Sequence, residues 1–345
     1  LGDERFMWDI LGADVTVDYK NRTCDITMES YIAKLIERFN LTGHKKVSTP
    51  SYSEKGLLHN GKTDVKGSGG HSFPIRELLG SLQWCCSCAR PDISQPLSVL
   101  ARLVGKGVCT PAVINAAKKI SKYLGSTPKW GIHYSPENEA AFEAAFLPLL
   151  KAKGHKGAFP RVHSFSDSSF GDCPVTLHST SGSVLYLRGT PVSWRSKRQS
   201  IRAYSTSEAE YAAASDTLVL ELSESALDFF KGKDSAGALV PLWVDNTSAI
   251  AVASAAAEGE LKSKSKHYAL RFLRVKDASD RIFYCPTALQ KADSLTKSVP
   301  YHTRKSLFYH TVDVCDEVSD IIDTDETEEE VDSLLVEIFN LDSFK

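Results

Sequence analysis

No apolar run in the 345 residues approaches the roughly 20 that a membrane-spanning helix needs, so no membrane partner is expected. The start, Leu1-Gly2-Asp3-Glu4-Arg5, mixes both charges within one turn and lacks the apolar stretch of a secretory signal. An initiator Met is also missing, which points to a fragment or a processed piece. Paired cysteine units are scarce. Three of the eight cysteines crowd into Cys85-Cys86-Ser87-Cys88, with no second C-x2-C to complete a zinc site and no spacing that suits a disulfide framework. These absences predict an intracellular, reducing setting in which the cysteines are buried in a helix.

What is present is ordinary globular composition, 42% hydrophobic and 24% charged, at a length that suits two domains. The net charge of −2 conceals an asymmetry: from Asp313 onward there are 13 acidic residues and one basic residue, Lys345. That leaves 40 Lys and Arg against 30 Asp and Glu in the first 312 residues, a basic body that favours a polyanionic partner such as nucleic acid. The tail, residues 301–345, has the composition of a disordered segment. Leu334, Leu335, Ile338 and Phe339, at helical spacing within it, leave a docking role open.

Along the chain the periodicity changes. Residues 10–26 alternate around a Lys20-Asn21-Arg22 turn, as in a hairpin, and Ile32, Leu35, Ile36 and Phe39 predict a helix over 27–41. Residues 51–73, rich in Gly, Ser and Lys, read as a flexible linker. Helices follow from Pro74, over 93–104 and over 111–124, making a small helical unit at 74–134; residues 135–160 read as a short helix plus linker. Beyond 161 short strands are expected at 162–166, 183–187 and 191–194, with Arg188-Gly189 as a turn, then a helix over 207–231. A strand at 239–244, further helices, a strand at 281–285 and a last helix at 288–297 complete a mixed α/β domain.

That domain carries four acids of interest. Asp167 ends its first strand, Asp245 ends the strand at 239–244, Glu210 lies in the first turns of the long helix and Asp293 opens the last one. Phosphodiester hydrolysis without a nucleophilic side chain needs two divalent cations about 4 Å apart. Hard cations of that kind want converging carboxylates, whose mutual repulsion the metals offset. Each acid taken singly also suits a turn, a cap or a helix dipole. Glu208 competes with Glu210, because Ser205-x-x-Glu208 and Ser207-x-x-Glu210 both match a capping box.

Six strings occur in order: Ser166-Asp167-Ser168, Ser179-Thr180-Ser181-Gly182, Pro191 through Gln199 (PVSWRSKRQ), Ser205 through Tyr211 (STSEAEY), Asp245 through Ile250 (DNTSAI) and Ala292 through Lys297 (ADSLTK). The series resembles the ribonuclease H domain of copia-type long-terminal-repeat retrotransposon Pol polyproteins. Upstream, residues 39–50, 76–93 and 116–131 resemble the end of the reverse transcriptase in the same polyproteins, its thumb or connection.

The resemblance implies an α/β fold with a ribonuclease H-like mixed five-stranded sheet and flanking helices at 161–300. It also implies the end of a reverse-transcriptase palm or thumb at 1–50 and a mainly helical connection at 74–134. It further implies an endonuclease that cuts the RNA strand of an RNA–DNA hybrid with two Mg2+ ions, which Mn2+ can replace, held by Asp167, Glu210, Asp245 and Asp293, with Glu208 left to cap. His267 would help proton transfer or product release. Arg195, Lys197, Arg198, Gln199, Asn246, Lys264 and Lys266 would contact the hybrid, reading shape and 2′-hydroxyls more than sequence. The rest of a Pol polyprotein is the other expected partner. Ser169, Ala269 and Leu273 depart from the family's pattern at an Asp, an Asp and a His. No Asp-Asp dipeptide is present, so polymerase activity is not expected, and a remnant that binds nucleic acid without cutting it, or serves as a structural subunit, is the alternative.

Overall fold

In the computed structural model of the chain, the described residues are 5–53, 57, 73–173, 176–223, 239–254 and 266–308, all within the compact unit Leu1–Val312. The first sheet is antiparallel, in the order β1 (Arg5–Ile10), β2 (Ala13–Asp18), β3 (Thr23–Thr27) and β4 (Gly131–Tyr134). The expected hairpin is its β2–β3 pair, whose turn ends with Arg22 in the left-handed region at φ 57°. β1 extends the hairpin outward.

α1 (Glu29–Arg38) packs against β2, and α2 (Ile75–Cys88), α3 (Ser94–Gly105) and α4 (Pro111–Ser126) pack against one another, α2 and α4 also against α1. Each buries the face its spacing foretells: Ile32, Leu35 and Ile36 on α1, Leu78, Leu79 and Leu82 on α2, Val113, Ile120 and Leu124 on α4. The Arg90-Pro91-Asp92 break between α2 and α3 is a buried anchor. The Arg90 guanidinium donates to both Asp92 carboxylate oxygens at 3.0 and 2.8 Å and to the Thr127 carbonyl at 2.8 Å, and Tyr123 donates to Asp92 at 2.7 Å. Breaking so buried a pair would strand a charge, so these residues fix how the helices meet. Cys85 and Cys86 are buried in α2, and burial pushes both thiols up to about 12, so they are inert packing residues as expected.

Residues 135–160 hold a longer helix than the short helix plus linker that their Ala-rich composition suggests. α5 (Pro136–Ala152) is a 17-residue helix, its N-terminus capped by the Ser135 hydroxyl accepting from Asn138 N, and Phe142, Phe146 and Leu150 are fully buried. Phe142 stacks on Tyr186 at 5.6 Å, and Phe146 packs against Phe165 at 5.3 Å and Trp243 at 5.0 Å. A single apolar core therefore runs from Met28 in the first half to Trp243 and Phe308 in the second.

The second sheet is mixed, in the order β7 (Thr190–Arg198), β6 (Thr180–Leu187), β5 (Val162–Ser169), β8 (Leu242–Val244) and β9 (Ile282–Tyr284). β5, β6 and β7 are antiparallel neighbours, whereas β8 and β9 join parallel to β5. The β6–β7 hairpin turns on Arg188 and Gly189, both at positive φ (51° and 80°), the pair the sequence marked as a turn. The helices are α6 (Thr206–Ser223), α7 (Thr247–Ser254), α8 (Lys266–Asp277) and the short α9 (Tyr301–Lys305). The last helix expected over 288–297 is instead two short 3-10 turns, Thr287–Leu289 and Asp293–Leu295. Most of the expected linker, the end of the helix expected to reach residue 231, and residues 309–345 of the tail lie outside the described residues.

Candidate metal centre

Register sets the site. In the parallel pairing of β5 with β8, Ser164 faces Leu242 and Phe165 faces Trp243, so two residues further on Asp167 and Asp245 reach the same level of the sheet. On the other side Asp167 faces Gly182 of β6. Helix α6 crosses this region and delivers Glu210, whose Oε1 accepts from Ser168 N at 3.2 Å and from the Ser168 hydroxyl at 2.9 Å. One carboxylate oxygen from each of Asp167, Glu210 and Asp245 lies within 4.8 Å of the other two, and among the described residues no other trio of His, Cys, Asp or Glu converges this way.

The choice between the two glutamates is visible in the first turn of α6. Ser205 accepts from Glu208 N at 3.1 Å, and the Glu208 carboxylate reaches back to accept from Tyr204 N at 2.7 Å, so the half-buried Glu208 caps the helix. Glu210, two residues on, points the other way, into the sheet, where it is buried.

Asp293 lies near this trio, on the 3-10 turn Asp293–Leu295. It is buried, and its charge raises the pKa of both Asp167 and Asp245. Burial is the larger influence, followed by neighbouring carboxylates: together they raise Asp167 to about 7 and Glu210 to about 9, and raise Asp245 above its ordinary value. Glu210 Oε2 is buried and has no hydrogen-bond donor among the described residues. Three hard carboxylate donors, crowded where burial and mutual repulsion oppose their ionisation and with one oxygen left without a proton donor, fit a divalent cation.

Three residues that sequence reasoning did not single out complete the surroundings. The Thr296 hydroxyl donates to Asp167 Oδ2. Lys297 pairs with Asp293 Oδ1 at 3.0 Å; burial alone would lower its pKa, but the attraction of Asp167, Asp293 and Asp245 wins and the net shift is upward. Gly182 lies where a Cβ would meet the Thr296 methyl and the Ala292 carbonyl, so its bareness lets the turn carrying Asp293 close onto β6. All three stand inside the quoted strings, STSG and ADSLTK, and those strings were the available signal.

The expected nucleic-acid contacts divide. Arg195 and Lys197 are exposed and Arg198 is half-buried, all within β7, which runs further than expected. Arg195 also borders a cavity of about 260 Å³ that Trp194, Cys86 and Ser98 line. Gln199 corrects an expectation: it is buried, its side-chain amide donating to Ser181 Oγ at 3.0 Å and to the Ala209 carbonyl at 2.8 Å, so it ties β6 to α6 and is not open to a ligand. Asn246 caps α7, its Oδ1 accepting from Ala249 N at 2.9 Å. Lys264 lies outside the described residues, and so do the side chains of Lys266 and His267 on α8.

Comparison with known proteins decides the relationship. The chain is 27% identical over 202 residues to a Ty5-1 transposon protein of Saccharomyces cerevisiae, covering 58% of this chain and 56% of that one. It is 26% identical over 309 residues to the retrovirus-related Pol polyprotein from transposon TNT 1-94 of Nicotiana tabacum, covering 84% of this chain and 20% of the other. With the Pol polyprotein from transposon RE2 of Arabidopsis thaliana it shares 29% identity over 290 residues, 79% of this chain and 17% of the other. The chain is homologous to copia-type retrotransposon Pol polyproteins. The Pol-derived chain thus spans about a fifth or less of the plant polyproteins it matches. No family model matches it. No helix among its described residues is long and apolar enough to cross a membrane.

Proposed function

We propose that the Pol-derived chain carries a ribonuclease H site that cuts the RNA strand of an RNA–DNA hybrid. The observation that carries this reading is the convergence of Asp167, Glu210 and Asp245 within 4.8 Å at one level of a mixed five-stranded sheet, with Asp293 beside them. A sheet in this order, with α6 packed across β5 and β6, is compatible with the ribonuclease H-like fold that the sequence resembles. Homology to Pol polyproteins supports an enzymatic origin in general.

Asp167, Glu210, Asp245 and Asp293 would hold two Mg2+ ions, with Mn2+ as a substitute. Bound there, the ions supply an activated water and stabilise the leaving oxygen of the scissile phosphate. The chain's own residues position that chemistry. Thr296 holds Asp167 by its hydroxyl, Ser168 holds Glu210 through backbone and side chain, and Lys297 pairs with Asp293. Exposed Arg195 and Lys197 on β7 offer the hybrid backbone a basic edge.

The departures at Ser169, Ala269 and Leu273 favour a second reading, a remnant that binds hybrid without cutting it. A cleavage assay separates the two. With a labelled hybrid and Mg2+, wild type should cut the RNA strand and Asp245→Asn should lose at least a hundredfold in rate. Equal inactivity of both, with hybrid binding retained, selects the remnant.

A further inference from the structure

The outer strand of the first sheet is unlike the other strands of that sheet. All six residues of β1 are exposed, and its edge away from β2 is unpaired among the described residues. Alternation sorts it into two rows. Phe6, Trp8 and Ile10 share one face, where Phe6 stacks on Trp8 at 5.6 Å and meets Tyr19 edge-on at 5.8 Å; Arg5, Met7 and Asp9 share the other. The aromatic row continues a face that is apolar across the sheet. Phe6 faces Val17 and Trp8 faces Val15, and beyond them Ile26 and Ile132 reach the core. An exposed sheet edge with an apolar row of this kind is an invitation to strand pairing.

The strand is also complementary to itself. Placed antiparallel to a copy of itself with Met7 opposite Met7, β1 sets Arg5 against Asp9, Phe6 against Trp8, and the same pairs again in reverse. This register also answers a local conflict. Asp9 faces Asp14 directly across the β1–β2 pair, a like-charge opposition that costs stability, whereas Arg5 faces Asp18. In the paired arrangement an Arg5 from the second copy stands beside the Asp9–Asp14 pair, giving the row Asp14, Asp9, Arg5, Asp18 across the junction.

We infer that β1 is a self-pairing edge, through which two copies of this chain join their first sheets into one continuous eight-stranded sheet about a two-fold axis at Met7. The contact is isologous, as closed dimers require. Only a six-residue strand meets its copy, so the area is small and the dimer should be weak, with a Kd of the order of micromolar.

The test is sedimentation equilibrium of the whole chain up to about 100 μM, where a micromolar dimer is mostly formed. Arg5→Asp and Asp9→Arg should each weaken the dimer about tenfold or more. The double swap R5D/D9R should restore it, although Asp9→Arg also removes the bond that Gly12 N donates to the Asp9 carboxylate. Thermal unfolding of each variant reports whether the sheet survives. In a parallel measurement Met7→Cys should form an intermolecular disulfide under mild oxidant, and Thr16→Cys, one strand inward, should not. A wild-type chain that stays monomeric overturns the inference and leaves the strip to another segment of a longer Pol chain. A dimer indifferent to both single swaps overturns it equally, since a different surface then holds the copies together.

Discussion

A Cβ on Gly182 would stand 2.7 Å from the Thr296 methyl and 2.9 Å from the Ala292 carbonyl oxygen. Gly182 also faces Asp167 across the β5–β6 pair, so the same backbone position that aligns one acid admits the turn that bears another. Gly182→Ala should destabilise the chain by about 1–3 kcal/mol. Hybrid cleavage should fall much further than stability, because the Asp293 turn must back away from Asp167. Comparing Tm with cleavage rate checks this; a rate that falls only in step with unfolding contradicts it.

Glu208 and Glu210 make opposite predictions two residues apart. Glu208→Ala removes a cap and should cost about 0.5–2 kcal/mol of stability, leaving cleavage by the folded protein nearly unchanged. Glu210→Gln should abolish cleavage yet raise the stability of the metal-free chain at pH 8, since burial and the nearby Asp167 hold the Glu210 carboxyl protonated up to about 9, a cost at that pH that the neutral amide removes. Denaturant melts and cleavage assays on both variants provide the measurement.

The pH dependence has a definite sign. Asp167 and Glu210 have folded-state values of about 7 and about 9, raised above the roughly 4 of an unfolded carboxylate. Their contribution to stability is therefore fully present below the unfolded value and is lost as pH rises through the folded ones. The Tm of the metal-free chain should fall between about pH 5 and pH 9, and the double variant Asp167→Asn, Glu210→Gln should flatten that fall. Thermal unfolding in a chelating buffer tests it.

α5 joins the two sheets through Phe142 and Phe146, so the halves should unfold together. Phe146→Ala should cost about 3–5 kcal/mol and keep a single transition, seen by both near- and far-ultraviolet circular dichroism. Two separated transitions in the wild type would show that the core is not shared.

Much of this arrangement was legible before the structure, and the gaps have physical causes. The helices α1 to α4 declared themselves because each buries one apolar stripe in the core, and Arg188-Gly189 declared its turn. α5 did not: Pro148 and its many alanines dilute the pattern, although its buried phenylalanines sit four residues apart. Glu208 and Glu210 satisfy the same local rule, so only their resemblance to a family pattern, and then the direction each side chain takes, could separate them. Asp293 stands on a 3-10 turn and not on the expected helix, because a 3-10 turn has too few residues to show a period. Gln199 misled for a related reason: it continues the alternation of exposed Arg195 and Lys197, yet it lies one residue past the end of β7, where its amide turns in to Ser181 and Ala209. Lys297 and Thr296 had no local reason to stand out, since their partners are the acids themselves and Asp167 lies over a hundred residues away.

The central claim is that four carboxylates form one cup for divalent cations. Isothermal titration of Mn2+ into the whole chain at about pH 8, where Asp167 is mostly ionised, addresses it most directly. About two ions per chain should bind, and Asp167→Asn should lose most of that affinity without losing the fold. An absence of binding, or binding that Asp167→Asn leaves untouched, would contradict the account.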